Sequence, residues 1–356
     1  MTLRELGWND RLSEAFEPYA RDGLAAARVS LEHTHIYRVI GEGGELLARV
    51  SGRLRHHAAT RAEFPAVGDW VVFDTAAEDG TARIRGVLPR SSRFSRRAAG
   101  DRTEEQVVAA NIDVVFLVGG LDRDFNPRRI ERYLLVAWES GATPVVVLNK
   151  SDLVTDPGEH VDAVRSIAPG VDVHAVTCTE PTTLLALRAY LGEGRTGALL
   201  GSSGVGKSTI VNRLVGFDRL ATRDGRVADS RGRHTSTSRQ LVRLPEHGIL
   251  IDTPGMRELQ LWETGDAAAG TFADISTLGE QCRFRDCQHR REPGCAVAAA
   301  VQAGELSAHR LASFHKLQSE QEYQHRQQDQ RAQIVQKRRT RTLMKSVRKH
   351  LKDKGY

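Results

Sequence analysis

The chain has 356 residues, 40% of them hydrophobic and 27% charged, with a formal net charge of +6 at pH 7; it is too long for one compact core and has the composition of soluble multidomain proteins. No apolar run approaches the length a membrane span needs, and the opening MTLRELGWNDRLSEAF carries early acids and no apolar stretch ending in small residues, so no membrane association and a cytoplasmic location are expected. The positive balance favours a polyanionic partner, while three of the four cysteines crowd beside His289 at metal spacing and not as a disulfide framework.

In chain order, residues 1–26 form an N-terminal extension. Residues 27–95 hold short alternating runs split by glycine turns, among them ARVSLEHTHIYRVI, GGELLARVSGRL, VGDWVVFDT and GTARIRGVLPR, which predict a small antiparallel β domain. Five short strands with Arg53, Arg55, Arg61, Tyr37, Trp70 and Phe73 are compatible with an OB-fold β-barrel that binds single-stranded nucleic acid. They are equally compatible with a barrel whose aromatics are core and whose arginines are solvated. Residues 96–110 are polar, basic at their start, and read as a linker. From 111 to 262 continuous apolar strands alternate with helical stretches, which predicts a parallel sheet covered on both faces. Pro127 suits the first turn of one helix and Gly141 the residue past its end. Residues 263–330 turn helical and carry the cysteine cluster, and 331–356 form a basic tail with Lys337, Arg338, Arg339, Arg341, Lys345, Arg348, Lys349, Lys352 and Lys354.

The chemistry concentrates in a few motifs. GSSGVGKS ends one strand and opens a helix, the context that makes it a phosphate loop. Backbone N–H groups of Gly201, Ser202, Ser203, Gly204, Val205 and Gly206 can close around the β-phosphate, with Thr209 just beyond. Lys207 can bridge the β and γ oxygens, and Ser208 can hold Mg²⁺. In NKSD, the Asp152 carboxylate can accept two N–H bonds from guanine but would face an acceptor on adenine. The Lys150 stem can cover the purine, and Asn149 can tie this loop to the phosphate loop. Thr177 and Cys178 end another strand; they either bring a backbone N–H to the guanine carbonyl or simply close the strand. In LIDTPG, Asp252 can reach Mg²⁺ through water and Gly255 N–H the γ-phosphate, while GRHTSTS offers Thr235 or Thr237 as a second Mg²⁺ hydroxyl. The base-reading loop precedes the phosphate loop, the order of a circularly permuted GTPase domain cut and rejoined at surface loops. In CRFRDCQHRREPGCAV, Cys282, Cys287, His289 and Cys295 match a closed structural Zn²⁺ site, one ion per chain. His56 and His57 have no ligand-like partners and read as surface or RNA-facing.

NKSD, GSSGVGKST, GRHTSTS and DTPG in this permuted order, a preceding ANIDVV and the cysteine run ending EPGCAV resemble the ribosome small-subunit-dependent GTPase A family (RsgA, also called YjeQ). The resemblance spans about Asn111 to Val297, with the β domain matching in position and length. It implies an OB-fold, a permuted α/β P-loop GTPase domain and an α-helical zinc-binding domain. It also implies late maturation of the small ribosomal subunit, contact with its rRNA, and GTP hydrolysis to GDP stimulated by that subunit; a monomer is expected. The sequence departs from the family at Thr177–Cys178 and at HTSTS, where a threonine run is usual.

Catalysis needs a group to orient water. Many GTPases place a glutamine just after the D-x-x-G loop, but here that position is Met256. His234 in the switch segment either orients or deprotonates the water or only contacts RNA or caps its loop; the resemblance favours catalysis. Two other classes compete with a GTPase. One is an RNA-binding assembly protein that uses nucleotide only as a structural ligand. The other is a P-loop kinase, against which NKSD and the lack of an evident lid both speak.

Overall fold

The computed structural model describes residues 2–33, 36–74, 81–97, 105–122, 125–216, 240–244, 248–252, 272–290, 292–308, 310–312, 314, 315 and 318. His234, Thr235, Thr237, Gly255 and the basic tail lie outside them. The chain divides into two units, Met1–Thr271 and Phe272–Tyr356.

The first unit opens with a 3-10 turn (Arg4–Leu6) and helix α1 (Asp10–Arg21), whose cap residue Asn9 accepts a bond from Leu12 N–H. Leu6 and Leu12 are buried in a core shared with later elements, and such burial stabilises by about 1.5–3 kcal/mol per side chain. The N-terminal stretch is thus part of the folded body and not an appendage.

Strands β1 (Ala25–His33), β2 (Ile36–Gly41), β3 (Gly44–Val50), β4 (Trp70–Asp74) and β5 (Ala82–Val87) follow, with helix α2 (Gly52–His57) after β3. They pair in the order β1-β2-β3-β5-β4, and β4 returns to β1, closing a five-stranded barrel. Its interior takes Val29, Tyr37, Val39, Val71, Phe73 and Ile84. Trp70 and Val72 point the other way, as the two-residue period of a strand requires, into the shared core. The three aromatics singled out as possible base-stacking residues, Tyr37, Trp70 and Phe73, are therefore all buried. A barrel this small needs them to fill its two faces. Arg53, Arg55 and Arg61 remain exposed.

Of the expected linker at 96–110, the described residues 96, 97 and 105–110 are strand. Strand β6 (Arg93–Arg97) pairs antiparallel with β7 (Glu105–Ala110). Phe94, Val107, Val108, Ala109 and Ala110 are buried, and Glu105 reaches across the pair, lying 3.6 Å from Arg93 and accepting from Ser95 Oγ at 2.6 Å.

The α/β part comprises β8 (Val114–Gly120), α3 (Pro127–Ser140), β9 (Thr143–Asn149), α4 (Pro157–Ile167), β10 (Asp172–Ala175), α5 (Leu185–Arg188), β11 (Thr196–Gly201), α6 (Lys207–Val215), β12 (Gln240–Arg243) and β13 (Ile249–Asp252). The sheet runs β10-β9-β8-β11-β13-β12; all strands are parallel except β12. Alternate residues serve opposite faces. Val115 and Leu117 of β8 join the core under α3 and α4, while Val114, Phe116 and Val118 join the one under α5 and α6. The chain steps outward through β8, β9 and β10, then returns to place β11 beside β8. That reversal opens a crevice at the carboxyl ends of β8 and β11, where α/β sheets hold ligands.

Barrel and sheet are joined by polar contacts as well as by the shared core. Arg28, fully buried, donates to the carbonyls of Leu6, Gly68 (3.1 Å) and Asn111 (2.9 Å); burial pulls it down to about 10, and it stays charged at neutral pH. Gly68, at φ 91°, is required there, since a Cβ would lie 2.2 Å from the Ala110 carbonyl oxygen. Asp69, with no side-chain exposure, takes a two-point bond from Arg90 at 2.7 and 2.8 Å.

In the second unit α7 (Ala273–Gly279) and α8 (Ala296–Ala303) flank the cysteine loop. Among its described residues Phe272, Ile275, Cys295, Val297, Ala300 and Leu306 are buried, and Arg310 pairs with Asp274 while lying 5.0 Å over the Phe272 ring.

Removing one partner of the Asp69–Arg90 pair leaves a buried charge without its ion-pair partner. Arg90→Ala should cost about 3–5 kcal/mol in urea unfolding followed by tryptophan fluorescence, with the double variant Asp69→Ala/Arg90→Ala recovering part of the loss.

Candidate nucleotide site and metal centre

The two loops expected to read base and phosphate stand together at the carboxyl ends of β9 and β11. Asn149, buried at the end of β9, donates through Nδ2 to the Val205 carbonyl at 2.8 Å. The contact needs Gly206: at φ 97° it carries the chain into α6, and a Cβ on it would sit 2.2 Å from Asn149 Nδ2. Lys207 Nζ donates to the Gly201 and Ser202 carbonyls at 2.7 and 2.5 Å. Ser203, Gly204 and Ser208 are exposed at the loop surface, Val205 is buried, and Thr209 lies in the first turn of α6.

Lys150 adopts a left-handed backbone (φ 65°) and its Nζ meets Asp122 at 2.5 Å. Asp152 is exposed and accepts from Thr177 Oγ1. Thr177 N–H is already bonded to Thr183 Oγ1 at 3.0 Å, which leaves Cys178 as the residue of the pair with its backbone N–H open to a ligand. Cys178 Sγ lies 3.7 Å from Asn149 Oδ1, and burial pushes its thiol up, so it stays protonated at neutral pH. Asp252 ends β13; burial raises its carboxyl, and the nearby Lys207 pulls it back.

Three residues escaped the sequence motifs. Asp122 sits just past β8 and pairs with Lys150, Arg129 in the first turn of α3 donates to Ser202 Oγ at 2.9 Å, and Thr183 buttresses Thr177. Their only sequence signal is position, Asp122 and Arg129 following a strand whose carboxyl end borders the crevice.

In the second unit the donor atoms of Cys282, Cys287, His289 and Cys295 all lie within 4.8 Å of one another. His289 Nδ1 is 3.5 Å from the sulfurs of Cys282 and Cys295, and those sulfurs are 3.9 Å apart. With Zn–S near 2.3 Å and Zn–N near 2.0–2.1 Å, tetrahedral edges of about 3.8 and 3.6 Å are required. Cys282, His289 and Cys295 match those edges, and Cys287 lies within 4.8 Å of all three, close enough to complete a four-donor set.

A family model described as RsgA GTPase matches residues 87–262. A relative from Opitutus terrae, named "Small ribosomal subunit biogenesis GTPase RsgA", is 50% identical over 338 residues, 92% of each chain. The chain belongs to the RsgA GTPase family. The solved structure of YjeQ from Thermotoga maritima, 26% identical, superposes with a TM-score of 0.62 over 84% of this chain and 98% of that one. YloQ, titled a circularly permuted GTPase, shares the fold at 23% identity and a TM-score of 0.61, covering 84% of this chain and 95% of that one. The strand order above is how this RsgA-family member realises the permutation: β9 with its NKSD loop comes early in the chain, yet lies one strand away from β11 and the phosphate loop. Among the described residues no helix is long and apolar enough to cross a membrane.

If the RsgA-family cysteine loop is a structural zinc site, metal analysis of protein purified without chelator should give one zinc per chain. Cys287→Ala should abolish that stoichiometry and lower the thermal stability of the C-terminal unit, with guanine nucleotide affinity changed by less than about twofold. Full-length protein lacking zinc would refute the assignment.

Proposed function

We propose that the chain binds GTP and GDP at the carboxyl ends of β9, β8 and β11 and hydrolyses GTP to GDP and phosphate in the biogenesis of the small ribosomal subunit. The observation that carries this reading is the Asn149–Val205 bond, which makes a guanine-selective loop and a phosphate loop into one site. The name of the Opitutus terrae relative, small ribosomal subunit biogenesis GTPase, supports it.

Each residue has a role in this reading. Asp152 accepts from the guanine edge, its carboxylate oriented by Thr177; Lys150 lies along the purine, its ammonium held by Asp122; Cys178 N–H faces the guanine carbonyl. Gly201, Ser202, Ser203, Gly204, Val205 and Gly206 wrap the phosphates with their N–H groups. Lys207 exchanges its carbonyl partners for the β and γ oxygens, and Gly255 N–H approaches the γ-phosphate. Ser208, with Thr235 or Thr237, and Asp252 through water, would hold Mg²⁺, which neutralises phosphate charge when bound. Water then attacks the γ-phosphorus in line, and the bond to the β–γ bridging oxygen breaks. His234 orients that water or takes its proton. Zn²⁺ on Cys282, Cys287, His289 and Cys295 would be purely structural, because all four positions are filled by protein donors.

The exposed Arg53, Arg55, His56, His57 and Arg61 on and beside α2, with the net charge of +6, support contact with rRNA. We further assign the protein to the cytoplasm as a monomer.

The test is GTP turnover with and without purified small subunits, with ATP as the base control. Stimulated, guanine-specific multiple turnover is expected; no turnover would leave nucleotide as a structural ligand only. Asp152→Asn should shift preference toward xanthine nucleotides, because xanthine carries a carbonyl where guanine has an amine, and competition binding reads the shift directly. His234→Ala should keep nucleotide and subunit binding while stimulated kcat falls by about 10²-fold or more; undiminished kcat would move the water-orienting role to another group.

A further inference from the structure

Arg129 brings to the phosphate loop a cation from outside the nucleotide-binding motifs of this sequence. It stands in the first turn of α3, its N–H bonded to the cap residue Asn126 at 3.2 Å, and its Nη1 donates to Ser202 Oγ at 2.9 Å. A cation there faces the positive end of the helix dipole, which disfavours it. Arg128 and Arg129 both occupy that turn, and it contains no acid. Local rules are broken in this way where function requires it. The same serine receives Lys207 on its carbonyl at 2.5 Å. Two cations thus meet at one phosphate-loop residue, one on its side chain and one on its backbone.

We propose that Arg129 is a positioning and specificity residue for the triphosphate. It fixes Ser202, and through Ser202 the start of the loop, while adding a permanent positive charge beside Lys207. GTP carries more negative charge than GDP, so a fixed cation at the loop favours GTP. An arginine suits this role because its guanidinium stays charged at every working pH and bonds in a fixed plane. The proposal rests on the nucleotide-site reading above and extends it to discrimination between substrate and product.

The experiment is equilibrium binding of fluorescent GDP and a fluorescent non-hydrolysable GTP analogue to the full-length protein, at low and moderate salt. The variants are Arg129→Ala, Arg129→Gln and Arg129→Lys, with Ser202→Ala separating the hydrogen bond from the charge. Arg129→Ala should weaken the GTP analogue about tenfold and GDP less than about threefold, and should flatten the salt dependence of GTP binding. Arg129→Gln, which keeps a donor for Ser202 without the charge, should show the same bias. Arg129→Lys should restore part of the GTP affinity, and Ser202→Ala should lower both nucleotides equally, leaving the preference between them intact. Equal losses for GTP and GDP in both Arg129→Ala and Arg129→Gln, or no loss in either, would overturn the proposal. Wild-type protein that binds neither nucleotide would remove the underlying site reading, a result separable from any variant effect.

Discussion

The bond from Asn149 to the Val205 carbonyl is the constraint on which the candidate site depends. Asn149 ends β9 and Val205 follows β11, two strands separated in the sheet by β8. Nothing in local sequence brings the two loops together; the sheet does. The bond exists because position 206 has no side chain, the smallest Cβ being too large for the gap. A buried amide left without its partner there would cost about 1–3 kcal/mol. The geometry of one loop therefore depends on the geometry of the other, and base and phosphate recognition share a frame.

The frame extends outward by charge. Asp122 and Arg129 flank the start of α3 and reach opposite ends of the crevice, one to Lys150 and the other to Ser202. The turn after β8 is thereby tied to both loops, and Leu121 N–H adds a bond of 2.7 Å to the Asn149 carbonyl. On the far side of the same sheet strands, Arg28 gathers three carbonyls from the N-terminal turn, the barrel and the approach to β8. Each of these contacts joins elements distant in sequence.

Most of this architecture was legible where chemistry demands a fixed spacing. A phosphate loop needs its glycines and lysine at set intervals, and a tetrahedral metal centre needs four donors within one short run. The permuted order was equally plain, because motif order is a property of sequence. Pairings between distant residues were not legible. Asp122, Arg129 and Thr183 are ordinary polar residues until the sheet sets them against Lys150, Ser202 and Thr177. The β6–β7 pair was hidden because its polar residues, among them Arg93, Ser95 and Glu105, meet across strands and in sequence resemble a polar connector. The barrel aromatics were ambiguous for a different reason: alternation reveals two faces, but here both are buried, one inside the barrel and one against the α/β layer.

The pairing of β1 with β12 has a consequence for the history of the chain. β12 is the last strand of the α/β sheet, and its outer edge is met by barrel strand β1, with Leu31 opposite Gln240. An uncovered strand edge invites pairing with other chains and aggregation. Cutting the barrel away would expose that edge and strip Trp70 and Val72 from the core they share with the α/β layer. The barrel is therefore not a removable module, and any exchange of it during evolution had to be accompanied by matching changes on the GTPase surface it covers.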